Sequence, residues 1–313
     1  MTSDNFKTFR DLVTNLSQHQ PIHIPSPPKQ KRRGAVAAIL RWHCPSRIVS
    51  NEKIETIHDF LEQPWVNQSD GYAEILFMQR TARPGDRWSG HVAFVGGKNE
   101  PGETDQETVE REVREEIGVD LSDHSKFLLV GKLDEREITS LKDNALVMIL
   151  IPFVYLQIVP DSPPFQLQTS EVASVQWVPL PFFLSENSYS CQLITEALPI
   201  VRKFNSKWLQ KAIQVMTGSV QFPAVDLPTQ QHFRLWGLTM GMTSDLVQFT
   251  QKKHLAFVQM TRKEPVYSRI DIKYLTRWIT QLTLLLKNKT YVQPMKMSML
   301  ERCFVAFRIE KDD

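Results

Sequence analysis

The stretch GGKNEPGETDQETVEREVREEIGVDL, residues 96–121, carries nine acidic side chains in 26 residues and opens on two glycines. Thr104 followed by Glu107 has the spacing of a capping box, which predicts that a helix begins at Thr104. Gly118 stands where a left-handed residue commonly ends a helix. The stretch therefore predicts a glycine-containing loop followed by one short, acidic helix.

The carboxylates of this helix are gathered on one side. Glu112, Glu115 and Glu116 stand at i, i+3 and i+4, a spacing that makes them neighbours. The opposite side is an apolar stripe, formed by Val109, Val113 and Ile117. Like charges at this spacing destabilise a helix, and hard divalent cations remove that cost because they prefer carboxylate oxygens as ligands. We therefore predict a site for Mg2+ or Mn2+, with a solvated acidic face as the alternative.

The spacing of the fixed residues is more specific than their charge. Gly97, Glu103 and residues 111–119 fit the pattern G-x5-E-x7-R-E-U-x-E-E-x-G-U, where U is aliphatic, at every fixed position. This pattern is the Nudix box, and the chain resembles a Nudix hydrolase. The irregular order of strands and helices favours an α+β fold. The resemblance implies that it is an α/β/α sandwich on a mixed sheet, with additional C-terminal helices.

The resemblance also implies roles for the residues of the box. The metal ligands would be the carbonyl group of Gly97 and the carboxylates of Glu112, Glu115 and Glu116. Arg111 would join these three glutamates as a catalytic residue.

Two further roles concern the loop and the attacking water. Glu103 would pair with Arg111 and fix the loop against the helix. A carboxylate would take the proton of the attacking water, and it is either Glu112 or a residue outside the box. The candidates outside the box are Glu135, Glu137 and Glu171.

The segment before the box indicates a substrate. Residues 90–97 resemble the coenzyme A diphosphatase branch of the family in the order Gly-x3-Phe-x-Gly-Gly, and LWGLT (235–239) resembles a helix of that branch. Val95 stands where the branch has proline, and Asp86 stands where it has arginine. The resemblance implies hydrolysis of coenzyme A or an acyl-coenzyme A to 3′,5′-ADP and 4′-phosphopantetheine.

Substrate phosphates need cations, and guanidinium groups suit them well. The candidates for binding substrate are Arg80, Arg83, Arg87 and Lys98. Trp88 and His91 either contact a nucleotide or belong to the core or rim. Two other functions stay open: hydrolysis of a nucleotide sugar, dinucleotide or capped nucleotide, and a nucleotide-binding or regulatory module without turnover.

The remaining sequence predicts the domain boundaries. Residues 1–33 end in a proline-containing stretch and the basic cluster KQKRR, which predicts a flexible leader. We place the hydrolase domain at residues 34–250, with a largely helical insertion at 187–230. Residues 251–313 form a predicted helical appendage, in which 274–287 have apolar side chains at helical spacing. That appendage could serve as a homodimer contact.

Composition excludes several classes of function. The net charge of +2 gives no strong field toward nucleic acid or a membrane surface. Cys44, Cys191 and Cys303 are too few and too far apart for a disulfide framework or a zinc cluster. No signal peptide or membrane-spanning run is evident. We expect an intracellular protein of the cytosol or an organelle matrix, whose partner is a small diphosphate substrate.

Overall fold

Helices and strands follow one another irregularly along the chain. The computed structural model describes residues 4–27, 32–45, 53–67, 70–83, 90–139, 146–185, 191–197, 206–252, 255–262 and 266–267. The helices in these ranges are α1 (Asp4–Ser17), α2 (Ile57–Leu61), α3 (Pro64–Asn67), α4 (Asp105–Ile117), α5 (Leu180–Leu184), α6 (Lys207–Thr217), α7 (Gly237–Gln248) and α8 (Ala256–Thr261). The strands are β1 (Arg33–His43), β2 (Tyr72–Arg80), β3 (Val92–Ala93), β4 (Val95–Lys98), β5 (Phe127–Lys132), β6 (Arg136–Thr139), β7 (Leu146–Gln157), β8 (Val172–Pro179), β9 (Cys191–Ala197), β10 (Ser219–Asp226), β11 (Arg234–Trp236) and β12 (Val266–Tyr267). No helix in the described ranges is long and apolar enough to cross a membrane.

The larger sheet is mixed. Its strands run in the order β3-β2-β1-β7-β5, with β4 beside β1, β6 beside β7 and β8 beside β2. The central pair, β1 and β7, is parallel, and the other pairs are antiparallel. The predicted α+β class with a mixed sheet is confirmed.

The side chains of β1 alternate between two cores, as a strand covered on both faces requires. Ala35, Ala37 and Ile39 pack in one core with the apolar stripe of α4. Leu40 and Trp42 belong to the other core, which includes the buried face of α1. Helices thus cover both faces of the sheet, which is the predicted α/β/α arrangement.

Residues 4–27 are not the loose leader that the sequence suggests. α1 buries Phe9, Leu12 and Leu16 completely, and their spacing is that of an amphipathic helix. The segment that follows α1 binds Asp134 and Glu135 through side chains and main chain. The leader prediction rested on the prolines and basic residues after α1, whereas the apolar stripe of α1 is what packs this segment against the sheet.

The part of the chain after residue 186 also differs from the helical prediction. A second sheet has β10 at its centre, antiparallel to β9, β11 and β12. β10 buries Val220 and the four consecutive residues 222–225, a short buried run whose length suits a strand. The apolar residues of 233–250 also predict a long helix, but this helix begins only at Gly237, because Arg234–Trp236 form β11 and pair with β10. The helix predicted over 274–287 lies outside the described residues.

Candidate active site

Two adjacent glycines bring the main chain of β4 close to α4. A Cβ atom added at Gly96, whose φ is 144°, would collide with the carbonyl oxygen of Ala35 on the paired strand β1. A Cβ atom added at Gly97 would collide with the carboxylate of Glu112. The loop backbone therefore lies directly against the first carboxylate of the box, and only glycine leaves room for it.

The helix that carries the carboxylates is capped as the sequence predicts. Thr104 accepts a hydrogen bond from the amide group of Glu107 at 3.2 Å, and Glu107 Oε2 accepts one from the amide group of Thr104 at 2.8 Å. Gly118 ends the helix with a left-handed φ of 74°. The capping box and the glycine fix where α4 begins and ends.

A salt bridge ties the loop to α4. Arg111 Nε donates to Glu103 Oε1 at 2.6 Å, and Nη2 donates to Glu103 Oε2 at 3.1 Å. The same Nη2 donates to the carbonyl oxygen of Lys98 at 3.1 Å. Arg111 lowers the pKa of Glu103 to about 2, together with the amide group of Glu100. Glu103 and Arg111 therefore connect the loop to α4 in the structure.

The three glutamates of the box have different surroundings. Arg111 Nη1 donates to Glu112 Oε1 at 3.1 Å and to Glu115 Oε2 at 3.0 Å. Glu116 is 3% exposed and accepts the amide proton of Gly96 at 3.1 Å. The side chain of Glu115 is 60% exposed. Two glutamates are therefore held by one arginine, and the third is buried against the glycine loop.

Burial disfavours the charged form of Glu112 and Glu116. It raises the pKa of Glu116 to about 7, with further upward contributions from the charges of Glu112 and Glu171; the amide group of Gly96 and the charge of Arg80 act in the opposite direction. Burial is also the main cause of the raised pKa of Glu112. Negative charge is concentrated here at a cost in free energy.

These residues fit a hard divalent cation by their chemistry. Carboxylate and carbonyl oxygens are the ligands that Mg2+ and Mn2+ prefer, and a cation would offset the charge that Glu112 and Glu116 build up. Within the ranges described above, no three His, Cys, Asp or Glu side chains are gathered as a ready-made metal site. Arg111 occupies two of the carboxylates instead.

One of the three candidate bases outside the box lies at the site. Glu171 contributes to the raised pKa of both Glu112 and Glu116. It is brought there by the loop between β7 and β8, which binds the end of α4 through the amide groups of Gln166 and Gln168, both at 2.9 Å from their acceptors. Main-chain contacts of this kind leave no residue-type signal in the sequence.

The other two candidate bases are placed elsewhere. The side chain of Glu135 is 3% exposed and binds His23 and Arg33. Glu137 lies in β6, opposite Ile149 of β7. The structure therefore favours Glu171 over both.

The predicted substrate cations are only partly gathered. Arg80, at the end of β2, acts electrostatically on Glu116. Arg83 donates to the carbonyl oxygen of Ser170, and its Nη2 lies 3.6 Å from Glu171 Oε1. Lys98 is exposed at the end of β4. Arg87 lies outside the described residues.

Of the two aromatic candidates, the structure describes His91. The ring of His91 contacts the ring of Trp236, with centroids 4.8 Å apart. His91 thus packs against Trp236, the residue that precedes α7. Trp88 falls within 84–89, which the structure does not describe.

The comparisons with known proteins agree with the motif. Residues 65–188 match the model of the NUDIX domain. An uncharacterized protein of Schizosaccharomyces pombe is 29% identical over 300 residues, which cover 90% of this chain and 85% of that protein.

The chain is also similar to solved structures. A MutT/nudix family protein from Enterococcus faecalis covers 95% of this chain and 96% of its own, at 12% identity and a TM-score of 0.36. An Ap4A hydrolase of C. elegans, in a binary complex, covers 46% of this chain and 78% of its own, at 14% identity and a TM-score of 0.27. These scores are too low to infer a substrate.

The family match includes the whole of the box, in which every fixed position is present. The chain therefore carries a Nudix domain and is a pyrophosphohydrolase.

Proposed function

We propose that this chain is a Mg2+- or Mn2+-dependent hydrolase of a nucleoside diphosphate derivative, and that coenzyme A or an acyl-coenzyme A is its substrate. The observation that carries the catalytic part is the position of Glu112 and Glu116 against the glycine loop, where the charge of Glu171 acts on both. Burial and mutual repulsion raise the pKa of the first two. Such a cluster is costly by itself, and a bound cation offsets the cost.

The metal ligands in this proposal are Glu112, Glu115, Glu116 and the carbonyl group of Gly97. A bound divalent ion neutralises phosphate oxygens and lowers the pKa of a water molecule that it binds. Arg111 positions the site, because it binds Glu112 and Glu115 on the helix and Lys98 in the loop.

Glu171 is the proposed general base, with Glu112 as the alternative. The oxygen of a water molecule forms a bond to one phosphorus atom, and the bridging P–O bond of the diphosphate breaks. The proton of the water passes to the carboxylate, which must lie within hydrogen-bond reach or one water away. Glu171 stands close enough to Glu112 and Glu116 to influence both electrostatically.

The substrate assignment rests on the resemblance of residues 90–97 and on nearby cations. Coenzyme A carries a 3′-phosphate besides its diphosphate, so its site needs additional positive groups. Arg80, Arg83, Arg87 and Lys98 are the proposed sources, because guanidinium and ammonium groups bind phosphate. Val95 and Asp86, which differ from the coenzyme A branch, favour a second candidate: a nucleotide sugar, dinucleotide or capped nucleotide.

The test is a product analysis with Mg2+. The purified chain is incubated with coenzyme A, acetyl-coenzyme A, ADP-ribose, NADH and diadenosine polyphosphates, beside a Glu116→Gln variant. We expect 4′-phosphopantetheine from the first two, and a loss of about 100-fold or more in the variant because a proposed metal ligand is removed. Turnover of another diphosphate alone would discard coenzyme A, and turnover of none would favour a binding module.

The substrate that turns over is then used to test the base. Glu171→Gln should lower kcat about 100-fold and remove the acidic limb of the pH profile, since an amide group cannot accept the proton. An unchanged acidic limb would assign the base to Glu112.

A further inference from the structure

Arg33, the last residue of the basic cluster, is at the centre of a part-buried hydrogen-bond network. Its Nε donates to Asp105 Oδ1 at 2.9 Å, and its Nη2 donates to Asp105 Oδ2 at 2.9 Å. Nη2 also donates to Glu135 Oε1 at 2.8 Å, and Nη1 donates to the carbonyl oxygen of Ile24 at 2.9 Å. One guanidinium group therefore joins three separate parts of the chain.

The first of these parts is the start of the catalytic helix and its loop. Asp105 is the first residue of α4. Its Oδ1 also accepts from Asn99 Nδ2 at 2.8 Å, and the amide group of Asn99 donates to the carbonyl oxygen of Arg33 at 3.1 Å. Burial alone would raise the pKa of Asp105, but the hydrogen bonds from Arg33 and Asn99 lower it. The side chain of Arg33 thus binds the first residue of α4 directly and reaches the loop through Asp105, whereas its main chain binds the amide group of Asn99.

The second and third parts are the loop after β5 and the segment that follows α1. Glu135 Oε2 accepts from the amide group of Ile24 at 2.8 Å, and Oε1 lies 3.0 Å from His23 Nδ1. Asp134 Oδ1 accepts from the amide group of Ile22 at 3.0 Å and lies 2.9 Å from His19 Nε2. The segment 19–24 is therefore bound, through Glu135 and Arg33, to the helix that carries the proposed metal ligands.

The loop between Gly97 and Thr104 is consequently held from two sides. Arg111 binds the carbonyl oxygen of Lys98 from the side of α4. From the side of β1, the side chain of Arg33 binds Asp105, and Asp105 accepts from the side chain of Asn99. The carbonyl group of Gly97 and the carboxylate of Glu112 depend on the position of this loop, because Gly97 lies against that carboxylate.

We propose that Arg33 is a positioning residue of the metal site: through Asp105 and Asn99 it fixes the loop 97–104, and through Glu135 and Ile24 it makes the N-terminal segment 19–24 part of the same support. The consequence for metal binding rests on the proposed function. Arg33 touches no substrate and is not a catalytic residue.

The chain offers a matched control on the same strand. Arg41 of β1 donates to Glu74 Oε2 at 2.7 Å and to Ser162 Oγ at 2.8 Å, and its guanidinium carbon lies 4.2 Å from the ring centroid of Trp177. The side chains of Arg33 and Arg41 are 14% and 19% exposed. Arg33→Gln and Arg41→Gln each remove a part-buried, ion-paired guanidinium group, but only that of Arg33 binds Asp105, which accepts a hydrogen bond from Asn99 in the loop.

The experiment measures hydrogen exchange of the amides of residues 97–104 and the Kd for Mn2+ in the full-length, substrate-free chain. We expect Arg33→Gln to speed exchange in this loop and to weaken Mn2+ binding about 10-fold, as loss of a supporting contact does. Turnover should show a lower kcat with KM for substrate within about twofold. Arg41→Gln should leave all of these unchanged.

Arg33→Lys keeps the charge but lacks the planar fork, so it should show the same losses and serves if Arg33→Gln does not fold. Equal effects in the Arg41 variant, or unchanged exchange and Mn2+ affinity in both Arg33 variants, would overturn the proposal. If the unsubstituted chain binds no Mn2+, the proposed function fails, and the exchange rates alone decide whether Arg33 positions the loop.

Discussion

The two ends of α4 treat negative charge in opposite ways. At the first turn, the pKa of Glu103 falls to about 2, chiefly through the hydrogen bonds from Arg111. The pKa of Glu107 is lowered by the backbone and side chain of Thr104. Burial would raise the pKa of Asp105, but the hydrogen bonds from Arg33 and Asn99 and the charges of Arg33 and Lys132 together lower it. Each carboxylate at this end is stabilised as an anion by its own partners.

At the last turns the directions reverse. Burial raises the pKa of Glu112 and raises that of Glu116 to about 7, and Glu171 adds to both shifts. The difference shows that acidic residues on one helix can serve separate purposes. The first turn uses charge to fix the structure, whereas the last turns carry buried carboxylates whose raised pKa values disfavour the charged form, and there we propose that the metal binds.

The largest effect is expected from a substitution at the contact between Gly97 and Glu112. Gly97→Ala would push the carboxylate of Glu112 aside, since the added methyl group collides with it. A displacement of about 1 Å at a reacting site can cost about 100-fold in rate, so we expect kcat to fall by that factor. Stability should change little, because the side chain of Glu112 can move.

Gly102→Ala is the matched control for this substitution. Gly102 has a φ of 93° and nothing within 4 Å of an added Cβ atom. Alanine there should strain the backbone and lower stability by about 1 kcal/mol, with kcat unchanged for the folded protein. Rates and thermal unfolding of both variants decide the matter, and a Gly97 variant of normal kcat would contradict the placement of Glu112 in the site.

The pH dependence of the free energy of unfolding tests the raised pKa of Glu116. Glu116 has a pKa of about 7 when folded and an ordinary value of 4.5, so the folded state holds its proton more tightly. Its stabilising contribution is complete below pH 4.5 and is lost as the pH rises through 7. In chelator we expect a loss of about 2 kcal/mol, since one pKa unit corresponds to about 1.4 kcal/mol and relaxation reduces the total.

Denaturant unfolding at pH 5 and pH 8, with and without Mg2+, measures this effect. The difference between the unsubstituted chain and Glu116→Gln isolates the contribution of Glu116 from other titrating groups. Saturating Mg2+ should restore stability at pH 8, because a ligand stabilises the state that it binds. If the difference in unfolding free energy between the two proteins does not change with pH, folding does not raise the pKa of Glu116.

The sequence predicts one side of this comparison better than the other. The ends of α4 follow from residues close together in the chain, because the capping box and the terminal glycine have a fixed spacing. The pair Glu103–Arg111 is implied by the resemblance to the Nudix box. Arg33 and Asp105 are 72 residues apart, and their meeting depends on how β1 pairs. The sequence shows that the two residues carry opposite charges, but no local spacing predicts that they form a salt bridge.

Two further differences have physical causes of the same kind. Glu171 reaches the site because main-chain amide groups bind its loop to the end of α4. Since any residue type can make such contacts, the sequence does not predict the position of Glu171. α1 carries a clear apolar stripe, with Phe9 and Leu12 fully buried, but the prolines after it dominate the average composition. Local periodicity is therefore a better guide to burial than composition over the whole segment.

The smallest expected effect concerns the helix cap itself. Thr104→Ala removes the capping hydrogen bond of α4, and the loss of such a cap costs about 1 kcal/mol. Thr56→Ala removes the same capping box from α2 and is the matched control. Both variants should unfold at slightly lower denaturant concentration and keep their Mn2+ affinity. If Thr104→Ala alone weakened Mn2+ binding about 10-fold, the effect expected when a supporting contact is lost, the cap would share the positioning that we assign to Arg33 and Asp105, and the first turn would belong to the metal site as well as to the fold.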